Sequence, residues 1–309
     1  MSQLASSTVL STLTDYARGI FPEIVAAQDP IIQWLAPFTQ VASATGKYKE
    51  FSDKSAFQTV QTARAIGGTA KRLEFLATDR DYSCLPQALE IGIDDHERKA
   101  AGGLEALLES AKTKTLLTSA AVSHINDVVT ALNAARSADA TPAWSVPASG
   151  NPVSDLDTQI QNIADDIGQF PTHIVFGLTA WRWFRNSNAV LGRFPNAAAV
   201  NVSSDAAAGI LLNPAIKVGV TTAIRDSNKP GTTKATANML ASNVWVFYSS
   251  PNPDQFDASF AKTFVTPGAG IDSVRKYRSE SNRSDILALD WARDIRVTST
   301  ISARRLTPT

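Results

Sequence analysis

The stretch that most constrains the fold runs from residue 104 to residue 135, because apolar and small side chains recur there three and four positions apart. These side chains are Leu104, Leu107, Leu108, Ala111, Thr115, Thr118, Val122, Ile125, Val129 and Leu132. No glycine or proline interrupts the pattern, which predicts one amphipathic helix about 45 Å long. Such a helix suits a structural spine better than the wall of a catalytic pocket, although a long core helix in any mixed domain has the same pattern.

The composition is that of a folded protein without a dominant charge. The 309 residues are 44% hydrophobic and 19% charged, and 29 basic residues balance 29 acidic ones. This length suits two ordinary domains or one large domain with insertions. Zero net charge provides no overall attraction to nucleic acid or to membranes.

Cys84 is the single cysteine, which excludes an internal disulfide framework and a cysteine-rich zinc site and fits a reducing cytoplasm. The first residues lack a basic stretch followed by a sustained apolar run. No segment approaches the ~18 uninterrupted apolar residues of a membrane span. We therefore expect a soluble protein without a recognisable secretion signal and without membrane contact.

The first 92 residues predict an arm followed by a long hairpin. Residues 1–42 combine apolar clusters with three prolines, which favours an extended arm with one or two short helices. Strand-like segments at 46–53 and 72–93 then flank a turn-rich tip with few apolar side chains. Because an isolated two-stranded hairpin is marginally stable in water, this one is expected to rest on another surface.

The second half of the chain predicts an α/β lobe and a returning strand. Helix and strand patterns alternate between residues 154 and 265, after a linker rich in Pro, Ser and Gly. Apolar and polar side chains then alternate from residue 287 to residue 301, which predicts a long half-buried strand that Arg293 interrupts on its apolar side. We expect this strand to pack against the long helix, because each has one apolar face to bury.

The residue types of common catalytic and metal sites form no recognisable motif. His96, His124 and His173 lie in three different predicted elements, and the acidic segment 94–97 lacks the spacing that places metal ligands on one helical face. No serine has the Gly-x-Ser-x-Gly setting, and the calcium-like loop at 226–237 lacks its bidentate glutamate. The sequence therefore predicts no enzyme activity, no catalytic residue, no cofactor and no metal.

Three groups of residues resemble the major capsid proteins of tailed phages. They are Gly46-Lys47-Tyr48, Tyr82-Ser83-Cys84 with Asp94-Asp95-His96-Glu97-Arg98, and Arg275-Lys276-Tyr277-Arg278 through Arg283-Ser284-Asp285. The order of predicted elements is similar over nearly the whole chain. The resemblance implies an α+β fold, the Hong Kong 97-like phage capsid fold, also called the Johnson fold, with an N-terminal arm, an extended loop, a long spine helix, and peripheral and axial domains.

The resemblance also implies a domain division and partners. The implied parts are an arm at 1–42, an extended loop at 43–92, a peripheral domain with the spine helix at 93–150, an axial domain at 151–267 and peripheral return strands at 268–309. Hexamers and pentamers of the chain would form the icosahedral head shell around double-stranded DNA, in a virion made in the host cytoplasm. A portal, and a separate scaffold or cement protein, would be further partners. Arg64, Lys71 and Arg72 at the hairpin tip are the candidate contacts with adjacent subunits.

Two other interpretations stay open at this point. The first, within the same fold, is an encapsulin-type compartment shell that packages an enzyme. The second is a cytosolic α/β enzyme whose site lies in the 154–265 lobe. Closed particles would separate both shell interpretations from the enzyme.

Overall fold

The computed structural model describes residues 30–50, 62–64, 66–69, 78–194, 202–226, 228, 233, 235–252, 254, 257–266 and 274–309. In this part of the chain, helices pack on a five-stranded and a four-stranded sheet, and two short hairpins project from them. The fold is α+β, as the sequence predicted.

The described helices follow one turn of π-helix at Ile31–Leu35; they are α1 Asp95–Ala100, α2 Glu105–Ala135, α3 Pro152–Ile167, α4 Leu178–Asn186, α5 Asn188–Leu191 and α6 Ser204–Gly209. The described strands are β1 Phe38–Gln40, β2 Thr45–Glu50, β3 Thr78–Ser83, β4 Leu85–Asp94, β5 His173–Gly177, β6 Lys217–Thr221, β7 Ile224–Asp226, β8 Thr236–Asn238, β9 Val244–Phe247, β10 Ala261–Val265, β11 Val274–Ser279, β12 Ser284–Val297 and β13 Ala303–Leu306.

Helix α2 has the predicted extent, but the predicted apolar face is wrong in its first half. The buried side chains are Thr113, Leu116, Leu117, Ala120, Ala121, His124, Ile125, Val128, Val129 and Leu132. Leu104 and Leu107, which the prediction placed on the buried face, are 63% and 65% exposed. The buried face contains small residues that let the helix approach the sheet closely, and these contribute little to an apolar pattern.

Strand β12 is the centre of the five-stranded sheet. It pairs along one edge with β11 and β10 and along the other with β4, from Ser284 opposite Asp94 to Arg293 opposite Leu85. Strand β1 extends the sheet from β10. The second strand of the predicted hairpin therefore ends at Ser83, and residues 85–92, which we expected in the extended loop, belong to this sheet.

The two halves of α2 pack in two different clusters. Leu116, Leu117, Ala120 and Ala121 contact the helix-facing side of β4, β11 and β12, including Leu287, Leu289 and Trp291. Ile125, Val128, Val129 and Leu132 pack with the π-helical turn and with one face of the four-stranded sheet. The helix thus bridges both sheets. Its packing against the long strand is confirmed, although Val122, predicted in the contact, is only half-buried.

The four-stranded sheet has the order β13-β9-β5-β6 and forms the core of the second lobe. Helices α3 and α4 cover the face opposite α2, with Leu156, Ile160 and Phe184 fully buried there. The C-terminal strand β13 pairs with β9, so the end of the chain belongs to this sheet and not to the five-stranded one, where the 268–309 return strands were expected.

Gly177, between β5 and α4, is a position where a side chain does not fit. A Cβ there would lie 2.2 Å from the carbonyl oxygen of Ala241, in backbone that cannot turn aside. We expect Gly177→Ala to lower the free energy of unfolding by about 2 kcal/mol or more through overpacking. Gly209→Ala is the matched control, because no atom lies within 4 Å of a Cβ in α6. Thermal denaturation should leave the control unchanged or slightly stabilised; equal losses would contradict this packing.

Candidate assembly surface

The hairpin of β2 and β3 begins at the edge of the five-stranded sheet. Its register runs from Thr45 opposite Ser83 to Glu50 opposite Thr78. On its exposed sides Arg80 donates to Glu50 at 2.5 Å, and Lys49 pairs with Asp79. The backbone N–H of Ser83 donates to the Asp294 carboxylate at 2.8 Å, which joins the hairpin to β12.

An aromatic cluster anchors the base of the hairpin. The rings of Tyr48 and Tyr82 lie 5.5 and 4.9 Å from that of Phe264 in β10, and the buried thiol of Cys84 packs with them. Burial raises the pKa of the Cys84 thiol, so the group is protonated at neutral pH. Gly46 is required because a Cβ there would lie 2.5 Å from the Tyr82 hydroxyl. The Gly46-Lys47-Tyr48 segment therefore fixes where the hairpin leaves the body.

The tip of the hairpin is described only in part. Arg64 is exposed, and the neighbouring Ile66 is fully exposed. Lys71 and Arg72 lie outside the described residues. The structure therefore places one of the three predicted contact residues at the surface, and their role in subunit contacts stays a prediction.

Replacing Arg64, Lys71 and Arg72 together with glutamate is expected to lower particle yield or particle thermal stability and to make assembly depend on salt. Exposed ion pairs contribute about 0–1 kcal/mol each, but a closed shell repeats each one many times. Glutamine at the same three positions removes the positive charges without adding negative ones. This variant therefore separates the effect of charge reversal from the loss of the native side chains. An unchanged melting profile of intact glutamate-variant particles would argue against a role for the tip.

A network of charged side chains joins α1, α2, β11 and β12. Arg98, Lys276 and Arg278 surround the carboxylate of Asp285, whose side chain is 13% exposed. Lys276 also donates to Glu109 of α2 at 2.5 Å. The network is completed by two 2.6 Å bonds from Arg278 to Asp95 and by a 2.6 Å bond from Lys112 to Glu97.

This network brings together two of the three sequence segments that resemble capsid proteins. Burial by itself would raise the pKa of Asp285, but the Arg98 hydrogen bond and the neighbouring cations hold that pKa below its ordinary value. A hydrogen bond from Arg278 likewise lowers the pKa of Asp95. Sequence reasoning found the segments but not their contact, since nothing in either segment indicates the other as its partner.

A second polar junction lies beneath β1, where α2 meets β12. His124 is fully buried and stacks on Phe38 at 5.1 Å, and neither ring nitrogen has a hydrogen-bond partner among the described residues. Arg293 is 4% exposed and donates to Asp127 of α2 at 2.6 Å. The residue that interrupts the apolar side of the last strand is therefore a buried arginine that pairs with a partly exposed aspartate of the spine helix.

The His124 junction predicts a loss of stability in mild acid. Burial first, and the Arg293 guanidinium second, hold the pKa of His124 well below its ordinary value of 6.5. The unfolded chain takes up this proton below about pH 6.5 and the folded chain does not, so stability falls as the pH falls. One such group lowers the free energy of unfolding by ~2 kcal/mol when the pH falls from 7 to 5.

We expect His124→Phe to be less acid-sensitive than the native protein by about that amount in denaturation followed at pH 7 and pH 5. His96→Gln is the control, because His96 is exposed on α1. The third histidine, His173, keeps its own acid response in both variants, since burial lowers its pKa to about 4. Identical pH profiles for native protein and His124→Phe would contradict a neutral buried His124.

The second lobe carries a cleft and an exposed ring at opposite ends of β5. The cleft, of about 580 Å³, runs along α4 and is lined by Leu178, Thr179, Trp181, Arg182, Arg185, Asn186 and Asn238. At the other end, Gly168 ends α3 with a φ of 70°, and Phe170 follows with 51% of its surface exposed. Sequence reasoning predicted neither the cleft nor the exposed Phe170, because exposure of an aromatic side chain has no signature in the apolar pattern.

The three histidines of the chain belong to three different elements of the fold. His96, His124 and His173 lie in α1, α2 and β5, and the described part of the chain contains no group of three or more His, Cys, Asp or Glu side chains that could hold a metal ion. Among the described helices, none is long and apolar enough to span a bilayer.

Several solved structures of phage and encapsulin proteins have a similar fold. A phage-related protein from Bordetella bronchiseptica RB50 is similar over 96% of both chains, with 20% identity and a TM-score of 0.70. The capsid of the cyanophage P-SCSP1u is similar over 91% of this chain and 89% of that one, with 10% identity and a TM-score of 0.59. The SrpI encapsulin of Synechococcus elongatus PCC 7942 is similar over 88% and 85%, with 10% identity and a TM-score of 0.52.

No protein-family model and no curated protein matches the sequence. The similarity is therefore one of structure, and it covers 88–96% of this chain in the three structures above. These matches confirm the resemblance at the level of the fold, and the chain has the Hong Kong 97-like capsid fold.

Proposed function

We propose that this chain is a shell-forming subunit, the major capsid protein of a tailed phage, whose copies assemble as hexamers and pentamers into an icosahedral head. The observation that carries the proposal is the similarity of fold over 91% of the chain to a phage capsid. The similarity to a phage-related protein over 96% of the chain supports the same assignment.

The surface of the isolated chain fits this role. Leu104 and Leu107 at the start of α2 and Ile66 near the hairpin tip are large apolar side chains that are exposed, and the described base of the hairpin packs on Phe264 of β10. Exposed apolar side chains on projecting elements are typical of subunits that bury them against neighbours. Obligate interfaces of about 2,000 Å² or more would supply that burial.

The proposed contents and partners follow from the phage assignment. The shell would enclose double-stranded DNA, which a chain of zero net charge would contact weakly and non-specifically. A portal, and a separate scaffold or cement protein, would complete the head in a virion made in the host cytoplasm. The role is structural and not enzymatic.

The second candidate is an encapsulin-type compartment shell, which the similarity to the SrpI encapsulin favours. A cytosolic enzyme with its site in the 154–265 lobe is the remaining alternative. The cleft of that lobe is lined by arginine, threonine, asparagine and apolar side chains, and it includes no carboxylate or histidine that could act as an acid or base.

Gradient sedimentation of nuclease-treated lysates tests the proposal and separates the alternatives. A phage head made with its portal and packaging proteins should sediment as large particles that protect double-stranded DNA. Large particles that hold a cargo enzyme and no DNA would support the encapsulin alternative. A chain that stays at the top of the gradient as a monomer or dimer and binds a small molecule would support the enzyme.

A further inference from the structure

The two ends of the second lobe carry an open cleft and an exposed aromatic ring. At the carboxyl end of β5, the cleft of about 580 Å³ exposes Leu178, 43% accessible, beside Trp181. At the amino end, Phe170 projects with 51% of its surface exposed. Exposed aromatic rings are typical anchors of protein interfaces, and they fill apolar clefts on their partners. The cleft has room for one phenylalanine ring and the side chains around it.

The two ends are complementary in charge. Arg182 and Arg185 lie on the wall of the cleft, and Arg182 is exposed. Asp165 is exposed on the last turn of α3, directly before the turn that carries Phe170. An aspartate five residues before the projecting ring is therefore opposite in charge to an arginine on the cleft wall, and such complementarity fixes orientation in an interface.

Strand β5 keeps Phe170 apart from Leu178 and the start of the cleft within one chain. Gly177 ends β5 directly before α4 and the cleft, whereas Phe170 lies three positions before His173, where β5 begins. The strand of five residues separates them by roughly 16 Å. A contact between two different patches of identical subunits is heterologous, and it closes into a ring when the rotation permits.

We infer that the second lobes of adjacent copies contact each other head to tail, with Phe170 of one copy in the Leu178–Trp181 cleft of the next and Asp165 of the first facing Arg182 of the second. This inference rests on the proposed shell function and specifies the contact within its rings. A second copy is the occupant because both halves of the contact are present on each chain.

Disulfide trapping tests the direction of the contact. The native protein has a single cysteine, Cys84, which is buried. We therefore expect disulfides between copies to form only through the introduced cysteines. The variant with both Phe170→Cys and Leu178→Cys, oxidised after assembly, should give a ladder of covalent multimers on a non-reducing gel. Each single variant should remain monomeric on the same gel, and dimers from either one would mean a symmetric contact and overturn the inference.

Charge exchange gives an independent test. Arg182→Glu and Asp165→Arg should each lower the assembled fraction about tenfold, and the combined variant should restore most of it. Particles are counted in parallel by electron microscopy of the native protein, so the shell function is judged separately. Native particles together with no ladder from the double-cysteine variant, or no recovery in the combined charge variant, would overturn the head-to-tail contact and leave the shell function standing.

Discussion

Ile125→Asp is expected to yield insoluble subunits. Ile125 is 1% exposed and packs with the π-helical turn, Phe260 and the four-stranded sheet at the point where the spine helix joins both lobes. An aspartate there would bury a carboxylate for which this cluster offers no partner, and the cost exceeds that of a lost apolar contact. The milder Ile125→Ala should lower the free energy of unfolding by about 2–5 kcal/mol through lost transfer energy and a residual cavity.

Two positions on the same helix serve as controls. Ser123 is exposed, so Ser123→Asp should remain soluble and unfold at nearly the native temperature. Val122 is half-buried, so Val122→Asp should fall between the two. The measurements are the soluble fraction after expression and thermal denaturation of what is soluble. Equal tolerance of aspartate at Ser123 and Ile125 would mean that α2 is not the buried spine.

Asp285→Ala is expected to lower the free energy of unfolding by about 2–3 kcal/mol. Removing one partner of a buried ion pair typically costs about 3–5 kcal/mol, because it leaves the other charge uncompensated. The loss should be smaller here, because Lys276 keeps Glu109 and Arg278 keeps Asp95. The measurement is denaturant unfolding of the subunit at neutral pH.

The control and the pH dependence make this prediction specific. Asp290 lies on the same strand, and its pair with Arg275 is exposed, so Asp290→Ala should cost only about 0–1 kcal/mol. The folded pKa of Asp285 lies below its ordinary value of 3.8. Its contribution is therefore complete above that pH and is lost as the pH falls through the lowered pKa, where native protein and Asp285→Ala should converge. Equal effects of both alanine variants at neutral pH would contradict the network.

Helices and strands with a clear hydrophobic periodicity can be predicted from the sequence more accurately than the elements they pack against. The extent of α2 is correct within a residue, whereas β12 follows the predicted alternation only to Val297 and ends four residues before Ile301. The face of α2 is wrong in its first half because Thr113, Ala120 and Ala121 are buried while Leu104 and Leu107 are exposed. Hydrophobicity alone predicts that a leucine is more buried than an alanine or threonine, and it does not account for small residues that are buried because they permit close packing.

Partners between distant segments depend on tertiary packing, which local patterns do not encode. Strand β13 resembles a continuation of the return strands, but it pairs with β9 in the other sheet. Arg293 interrupts an apolar alternation, yet it is buried and pairs with Asp127, so an interruption can mark a specific ion pair between distant segments. The candidate contacts Arg64, Lys71 and Arg72 were chosen by charge and position in the hairpin, and they remain untested predictions.

Negative-stain electron microscopy of the purified full-length chain tests the central claim most directly. If the chain is a shell-forming subunit, the micrographs should contain closed particles of uniform diameter with icosahedral outlines, in which pentameric and hexameric clusters can be resolved by averaging. A preparation of discrete monomers or dimers, at concentrations and salt conditions that keep the protein folded, would contradict the shell function.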